Sequence, residues 1–191
     1  LLINKMKLEP LFEVKQNELF TVQGTKVELN LKAINDIKTE IPSDKNFIYN
    51  IVIERTAVET EPECYNEEYL ASLRDFLKKL EEDGMFAILN IVPGNDKGGI
   101  LIKENGADSE EAAAYIACIN HTARRVKDCV SVAGIWIDSD FAAVDGADKV
   151  MLLEDELLKK HAQYVFFASD KLRGALSGLS DEYMQKIAFA G

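Results

Sequence analysis

The chain has 191 residues, 47% of them hydrophobic and 29% charged, a balance that suits one globular domain with a sizeable core. Its 22 Lys and Arg stand against 33 Asp and Glu, a formal net charge of −11 at pH 7. No basic stripe offsets that charge, so a phosphate backbone is repelled, and neither nucleic acid nor an anionic membrane is expected as a partner.

Phe12 and Val14, then Leu19, Phe20 and Val22, read as a small hairpin pairing 12–15 with 19–22. Gln23 and Gly24 turn the chain, and Val27, Leu29 and Leu31 resume a period of two in a strand at about 27–34. Ile48, Ile51, Val52 and Ile53 mark a strand at 47–55. Asn66 caps a helix whose Leu70, Leu73, Phe76, Leu77 and Leu80 keep a 3.6-residue period until Gly84 stops it. The unbroken apolar run MFAILNIV (85–92) predicts a strand covered on both faces, closed by the loop at 93–96.

Asp108 and Glu111 form a capping box for a helix with Ala112, Ile116, Ile119, Ala123 and Val126 on one face. A strand at 131–137, a helix at 149–161 and a strand at 164–168 follow. From Asp170 a last helix is expected, its stripe being Leu172, Leu176, Leu179, Tyr183, Met184 and Ile187. Strands separated by helices imply right-handed crossovers and a parallel sheet. The whole of 1–191 reads as one α/β domain, a hairpin at 12–22 followed by βα units over 27–191 with five parallel strands. Five are fewer than a closed barrel needs. The expected architecture is a shortened (β/α) barrel, with an open doubly wound sheet as the alternative.

Cys64, Cys118 and Cys129 follow no metal or redox spacing and read as buried free thiols. His121 and His161, on helices without Cys or Glu at metal spacing, read as solvated or capping residues. There is no P-loop, GxGxxG or GxSxG pattern, and no cofactor is expected. The opening LLINKMKLEP is too short and polar for a leader or a span, which leaves a cytoplasmic chain or a secreted one whose leader is absent from this sequence.

Ligands of such sheets meet the carboxyl ends of the strands. That rule selects Asn35, Asp36, Glu54, Arg55, Asn90, Asn95, Asp96, Asp138, Asp140, Ser169 and Asp170, with Trp136 beside them. The rim is acidic, and Arg55, its one obvious cation, would neutralise Glu54. Facing carboxylates suit acid–base work on a neutral sugar, and the same oxygens would suit Mg²⁺ or Ca²⁺. The stretch SVAGIWIDSDFAA (131–143) poses the sharpest question, because Asp138 and Asp140 follow a buried strand directly. Each could equally close a turn or cap a helix.

Four segments together resemble cellulase-type glycoside hydrolases. FEVKQNELFTVQGTKVELNLKAIND is similar to their opening hairpin, which closes the barrel floor, and NFIYNIVIER to their second strand, whose terminal Arg corresponds to Arg55. YLASLRDFLKKLEEDGMFAILNIVP resembles their helix and third strand, and AAAYIACINHTARRVKDCVSVAGIWIDSD the helix leading to their fourth. The resemblance covers about 12–140 and implies a (β/α) barrel acting on sugars. Departures accompany it. Asp138-Ser139 stands where the family carries Asn-Glu with the acid/base, Val92 or Pro93 stands where a His is common, and no seventh-strand nucleophile is recognised.

The expected function is therefore a non-catalytic or divergent glycosidase-like domain that binds a carbohydrate-like or other polar ligand. Asp138, Asp140 and Glu54 are its candidate catalytic groups, and Arg55, Asn90, Asp96, Trp136 and Asp170 its candidate ligand-binding groups. One alternative is a glycoside hydrolase with a rearranged acidic site, with or without a divalent cation. The other is an α/β domain with an interaction role. An unclosed barrel also predicts that helix, loop or another copy of the chain covers its outer strands.

Overall fold

The computed structural model describes residues 8–94 and 109–191. The chain opens with an antiparallel hairpin, β1 (Phe12–Lys15) and β2 (Glu18–Thr21). Its two-residue turn, Gln16 and Asn17, holds φ at 52° and 62°, the left-handed conformations that a tight hairpin connection requires. Then come β3 (Leu31–Ile34) and β4 (Ile48–Glu54). A single-turn helix α1 (Arg55–Val58) and a small hairpin of β5 (Glu59–Glu61) and β6 (Cys64–Tyr65) lead into α2 (Glu67–Glu82). Next are β7 (Phe86–Val92), α3 (Glu110–Arg125), β8 (Val132–Trp136), α4 (Gly146–Leu158) and β9 (Val165–Ser169). A 3₁₀ turn (Asp170–Leu172), α5 (Asp181–Met184) and β10 (Ile187–Ala190) complete the described chain.

Six strands form one parallel sheet in the order β3-β4-β7-β8-β9-β10. The order never reverses, whereas a doubly wound sheet must reverse at its switch point. Every crossover therefore runs the same way, the helices lie on one face, and the sheet curls as part of a (β/α) barrel. The barrel expectation holds and the doubly wound alternative falls. The strand count is corrected from five to six. The tail after Asp170 is not one helix, because Gly174, Ser177, Gly178 and Ser180 interrupt its stripe, and the IAFA segment (187–190) instead pairs with β9.

Alternation along the strands sorts two cores. Tyr49, Ile51, Ile53, Ala87, Leu89, Ile91, Ile135 and Phe166 face the helices and meet Leu73, Leu77, Ile116, Ile119 and Leu153. Ile48, Ile88, Ala133, Val165, Phe167 and Ala188 face the concave side, where Phe12 and Leu19 of the hairpin cover their lower ends. Phe12 lies edge-on to Phe86 at 4.9 Å, so the hairpin closes the floor of the curl. Val27 and Leu29 join this inner core from a segment tied to β2 by the Val27 N–H donating to Leu19, and only 31–34 pairs with β4. At Gly134 a Cβ would lie 1.8 Å from the Val165 carbonyl oxygen, so β8 approaches β9 only because that residue lacks a side chain.

Local signals explain the helices. Asn66 caps α2 by accepting the Tyr69 N–H, and Gly84 ends the element with φ 69°. Ser109, rather than Asp108, caps α3 by accepting from Ala112, and Asp108 lies outside the described residues. Cys118 and Cys129 are buried and their thiols are pushed up to about 12 by desolvation, whereas Cys64 is exposed, against expectation. His161 is buried too, not solvated, and burial holds its imidazole below the usual histidine value.

One buried acid opposes the fold. Glu154 on α4 is fully buried, both carboxyl oxygens lack a hydrogen-bond partner, and Lys186 Nζ comes only to 3.7 Å. Desolvation pushes its carboxyl up to about 8 from 4.5. A raised acid binds its proton more tightly in the folded state, so its contribution is complete below about 4.5 and is lost as pH rises to about 8. Glu154→Gln should therefore stabilise the protein by a few kcal/mol at neutral pH. In urea titrations at several pH values, its advantage over wild type should grow between those limits and then level off. A pH-independent difference would contradict a buried, desolvated Glu154.

Candidate functional site

The register stacks the inward-facing residues in layers. Asn50 lies beside Ile88, Gly134 and Val165, and above them Val52, Asn90, Trp136 and Phe167 share a level. The uppermost layer, at the carboxyl ends, carries Glu54 beside Val92 on one side and Ser169 beside Ala190 on the other. Asp138 falls between them, since Ile137 extends the β8 ladder by donating to the Phe167 carbonyl. Five of the expected site residues thus reach one sheet end: Glu54, Asn90, Trp136, Asp138 and, just beyond Ser169, Asp170. Asp96 and Asn95 lie outside the described residues.

Asp138 has a structural task. Its Oδ1 accepts the backbone N–H of Asp140 at 2.8 Å and of Phe141 at 3.3 Å, while its carbonyl accepts from Ala142. The carboxylate therefore closes the turn that carries the chain off β8. Burial pushes the Asp138 carboxyl above its ordinary value, against the two N–H groups that pull it down. Asp140 belongs to the same turn, so the two acids do not flank a space from opposite sides. Glu54, exposed on β4, is two strands from Asp138, about 10 Å of sheet spacing.

Arg55 is turned away from this acid set. It starts α1, and its Nε and Nη2 donate to Glu59 Oε2 at 2.7 and 2.6 Å, with both side chains 6% exposed. Glu59, not Glu54, is the carboxylate that neutralises Arg55. The i,i+4 spacing brings the pair together, and a strand read through residue 55 hides it. The second Glu59 oxygen accepts the Glu63 N–H, while Arg55 Nη1 has no partner. Tyr115, fully buried on α3, donates through its hydroxyl to the Ile91 carbonyl and packs on Phe141, joining the ends of β7 and β8.

The polar groups left over are amides. Asn90 is 8% exposed and its Oδ1 has no hydrogen-bond partner. The Oδ1 of Asn50, one layer lower on the neighbouring strand, is likewise buried and unpartnered. Asp170, exposed at the rim, pairs with Arg173 at 2.7 Å. Among the described residues no three His, Cys, Asp or Glu gather as a metal site, and no helix is long and apolar enough to cross a membrane. A groove of about 580 Å³ lies elsewhere, between α3 and α4 on the outer layer. Its wall is Tyr65 stacked on His121 at 3.7 Å, and Glu67 and Arg124 bracket the imidazole.

Comparison with solved structures places the fold. An endogalactoceramidase superposes with a TM-score of 0.68 at 14% identity, covering 95% of this chain and 59% of that one. The catalytic domain of a mannanase from Streptomyces sp. SirexAA-E gives 0.60 at 11% identity, covering 97% and 62%. Endo-glycoceramidase II from Rhodococcus sp. gives 0.58 at 15% identity, covering 75% and 47%. The fold is that of cellulase-type (β/α)-barrel glycosidases in a divergent form, and the chain spans between 47% and 62% of these three structures. No protein-family model and no curated protein matches the sequence.

Two outcomes test the roles assigned to the charged residues. Asp138→Ala should cost about 1 kcal/mol or more by removing the acceptor of two turn N–H groups. Asp138→Asn keeps an acceptor oxygen and removes a desolvated charge, so at neutral pH it should be at least as stable as wild type in urea unfolding. Arg55→Ala should cost about 3–5 kcal/mol by stranding the buried Glu59 carboxylate, and the double variant Arg55→Met/Glu59→Met should recover most of that loss.

Proposed function

We propose that this chain is a glycosidase-like domain that binds an uncharged, hydroxyl-rich ligand at the carboxyl ends of its strands and does not cleave it. The observation that carries the reading is Asn90, a buried inward amide whose oxygen has no partner in the protein. A buried amide oxygen without a partner is costly, and a sugar hydroxyl, which can donate to it, would satisfy it. Trp136 stands at the same level on the next strand, half-buried, an aromatic face of the kind a sugar ring can pack against. The solved relatives add support by their own ligands, a cellobiose-like imidazole in the Rhodococcus endo-glycoceramidase and cellotetraose in the endocellulase from Pyrococcus horikoshii.

Against catalysis stands the use of the charged groups. A retaining mechanism needs two carboxyls about 5–5.5 Å apart. Asp138 is committed to its turn, Arg55 to Glu59, and Asp140 shares the turn of Asp138.

Titrating the chain with cellotetraose or a mannan oligosaccharide, followed by tryptophan fluorescence and calorimetry, should reveal binding that perturbs Trp136. Asn90→Ala should weaken it at least tenfold, about 1.4 kcal/mol, while leaving the fold intact. An unperturbed Trp136 with both ligands would refute the proposal.

One observation favours a second reading. The spacing of Glu54 and Asp138, about 10 Å of sheet, approaches the ~6.5–9.5 Å between the carboxyls of inverting glycosidases. If release of reducing sugar is measured, Glu54→Gln and Asp138→Asn should each abolish it.

A further inference from the structure

The last strand of the sheet, β10, is buried along all four residues although no strand pairs with its outer edge among those described. What covers that edge is the tip of the floor hairpin. Asn17 Nδ2 donates to the Ile187 carbonyl at 3.0 Å and to the Met184 carbonyl at 2.7 Å. The Asn17 carbonyl accepts the Phe189 N–H at 3.1 Å.

Those partners are the ones a neighbouring strand would use. Ala188, between them, pairs with Phe167 on the inner side, so Ile187 O and Phe189 N point outward. In a parallel ladder, one residue of the next strand donates its N–H to the first and accepts from the second. Asn17 does the same with a side-chain amide in place of its own N–H. We propose that Asn17 is a strand surrogate: it occupies the rung beside Ala188 and keeps a further parallel strand off the β10 edge. Unpaired edges are open to pairing with other chains, and a single asparagine closes this one.

The strand it keeps away is β3 of a second copy. β3 is the other edge of this same sheet, and setting it beside β10 would continue the parallel order head to tail, a contact that propagates rather than closes into a dimer. Among the described residues the β3 edge carries no comparable clip: because Asn30 O accepts from Ile48, Leu31 and Ala33 turn their backbone groups outward.

The turn permits a clean test. Asn17 has φ 62°, which glycine tolerates, so Asn17→Gly deletes the amide and keeps the hairpin. Asn17→Asp keeps the shape but sets a carboxylate against two carbonyl oxygens. In the 191-residue chain, hydrogen exchange at the Phe189 amide should quicken at least about tenfold in both variants. Sedimentation velocity should show wild type unchanged with concentration and Asn17→Asp forming larger species. Adding Ala33→Pro, which removes an outward N–H from β3, should return Asn17→Asp to the monomer. Unchanged Phe189 exchange with unchanged sedimentation in both variants would overturn the surrogate role. Association that survives Ala33→Pro would overturn the assignment of β3 as the strand kept off.

Discussion

The strand order governs everything else in this molecule. Because each strand of β3-β4-β7-β8-β9-β10 lies beside the one that follows it in the sheet, every helix must cross on the same side. The opposite face receives none of the described helices and has to be filled from within. It is filled by alternate strand residues and by Phe12 and Leu19 of a hairpin folded under the curl. Gly134 serves the same end, letting β8 and β9 close up so that Phe167 enters the inner layer. The polar residues that end these strands gather at the upper mouth, which is why the candidate site follows from register.

How much of this could be read beforehand depended on how far each signal was local. β4, β7 and α2 were legible because long apolar patterns with a clear cap or stop specify both type and extent. β10 was not: IAFA has four residues, no alternation, and a preceding run of leucines whose spacing imitates a helix. Its identity comes from pairing with β9, a contact that the segment itself does not encode. The choice between a curled and a doubly wound sheet was equally non-local. Four resembling segments pointed to the barrel, and the unreversed order decided it. Among site residues, Asn90 was legible as a strand-end position, but its lack of a partner is a property of everything around it. The Arg55–Glu59 pair was missed because α1 is a single turn placed where the strand pattern had not visibly ended.

Positions that the family resemblance marks for chemistry are engaged here in contacts within the fold. Asp138 gives an oxygen to two N–H groups of its own turn, and Arg55 is bound by a glutamate four residues on. Neither arrangement is inert energetically. Asp138 sits above its ordinary pKa because burial outweighs its hydrogen bonds, and Arg55 keeps an unpartnered nitrogen in a buried layer. A fold that tolerates both must secure its stability elsewhere, in the wide apolar layer between sheet and helices.

That redistribution of charge also bears on the ligand proposed above. Arg55 is bound to Glu59 and Asp170 to Arg173, so neither of these arginines is left to receive a ligand at the strand ends. An anionic ligand would meet repulsion there, in a chain that already carries −11. Asn50 and Asn90 add donors and acceptors but no charge, and they lie deeper than the acids, Asn90 at the level of the Trp136 indole. The neutral polyol proposed as ligand fits these conditions together: its hydroxyls would donate to carboxylates and pair with amides, and its carbon face would lie on Trp136.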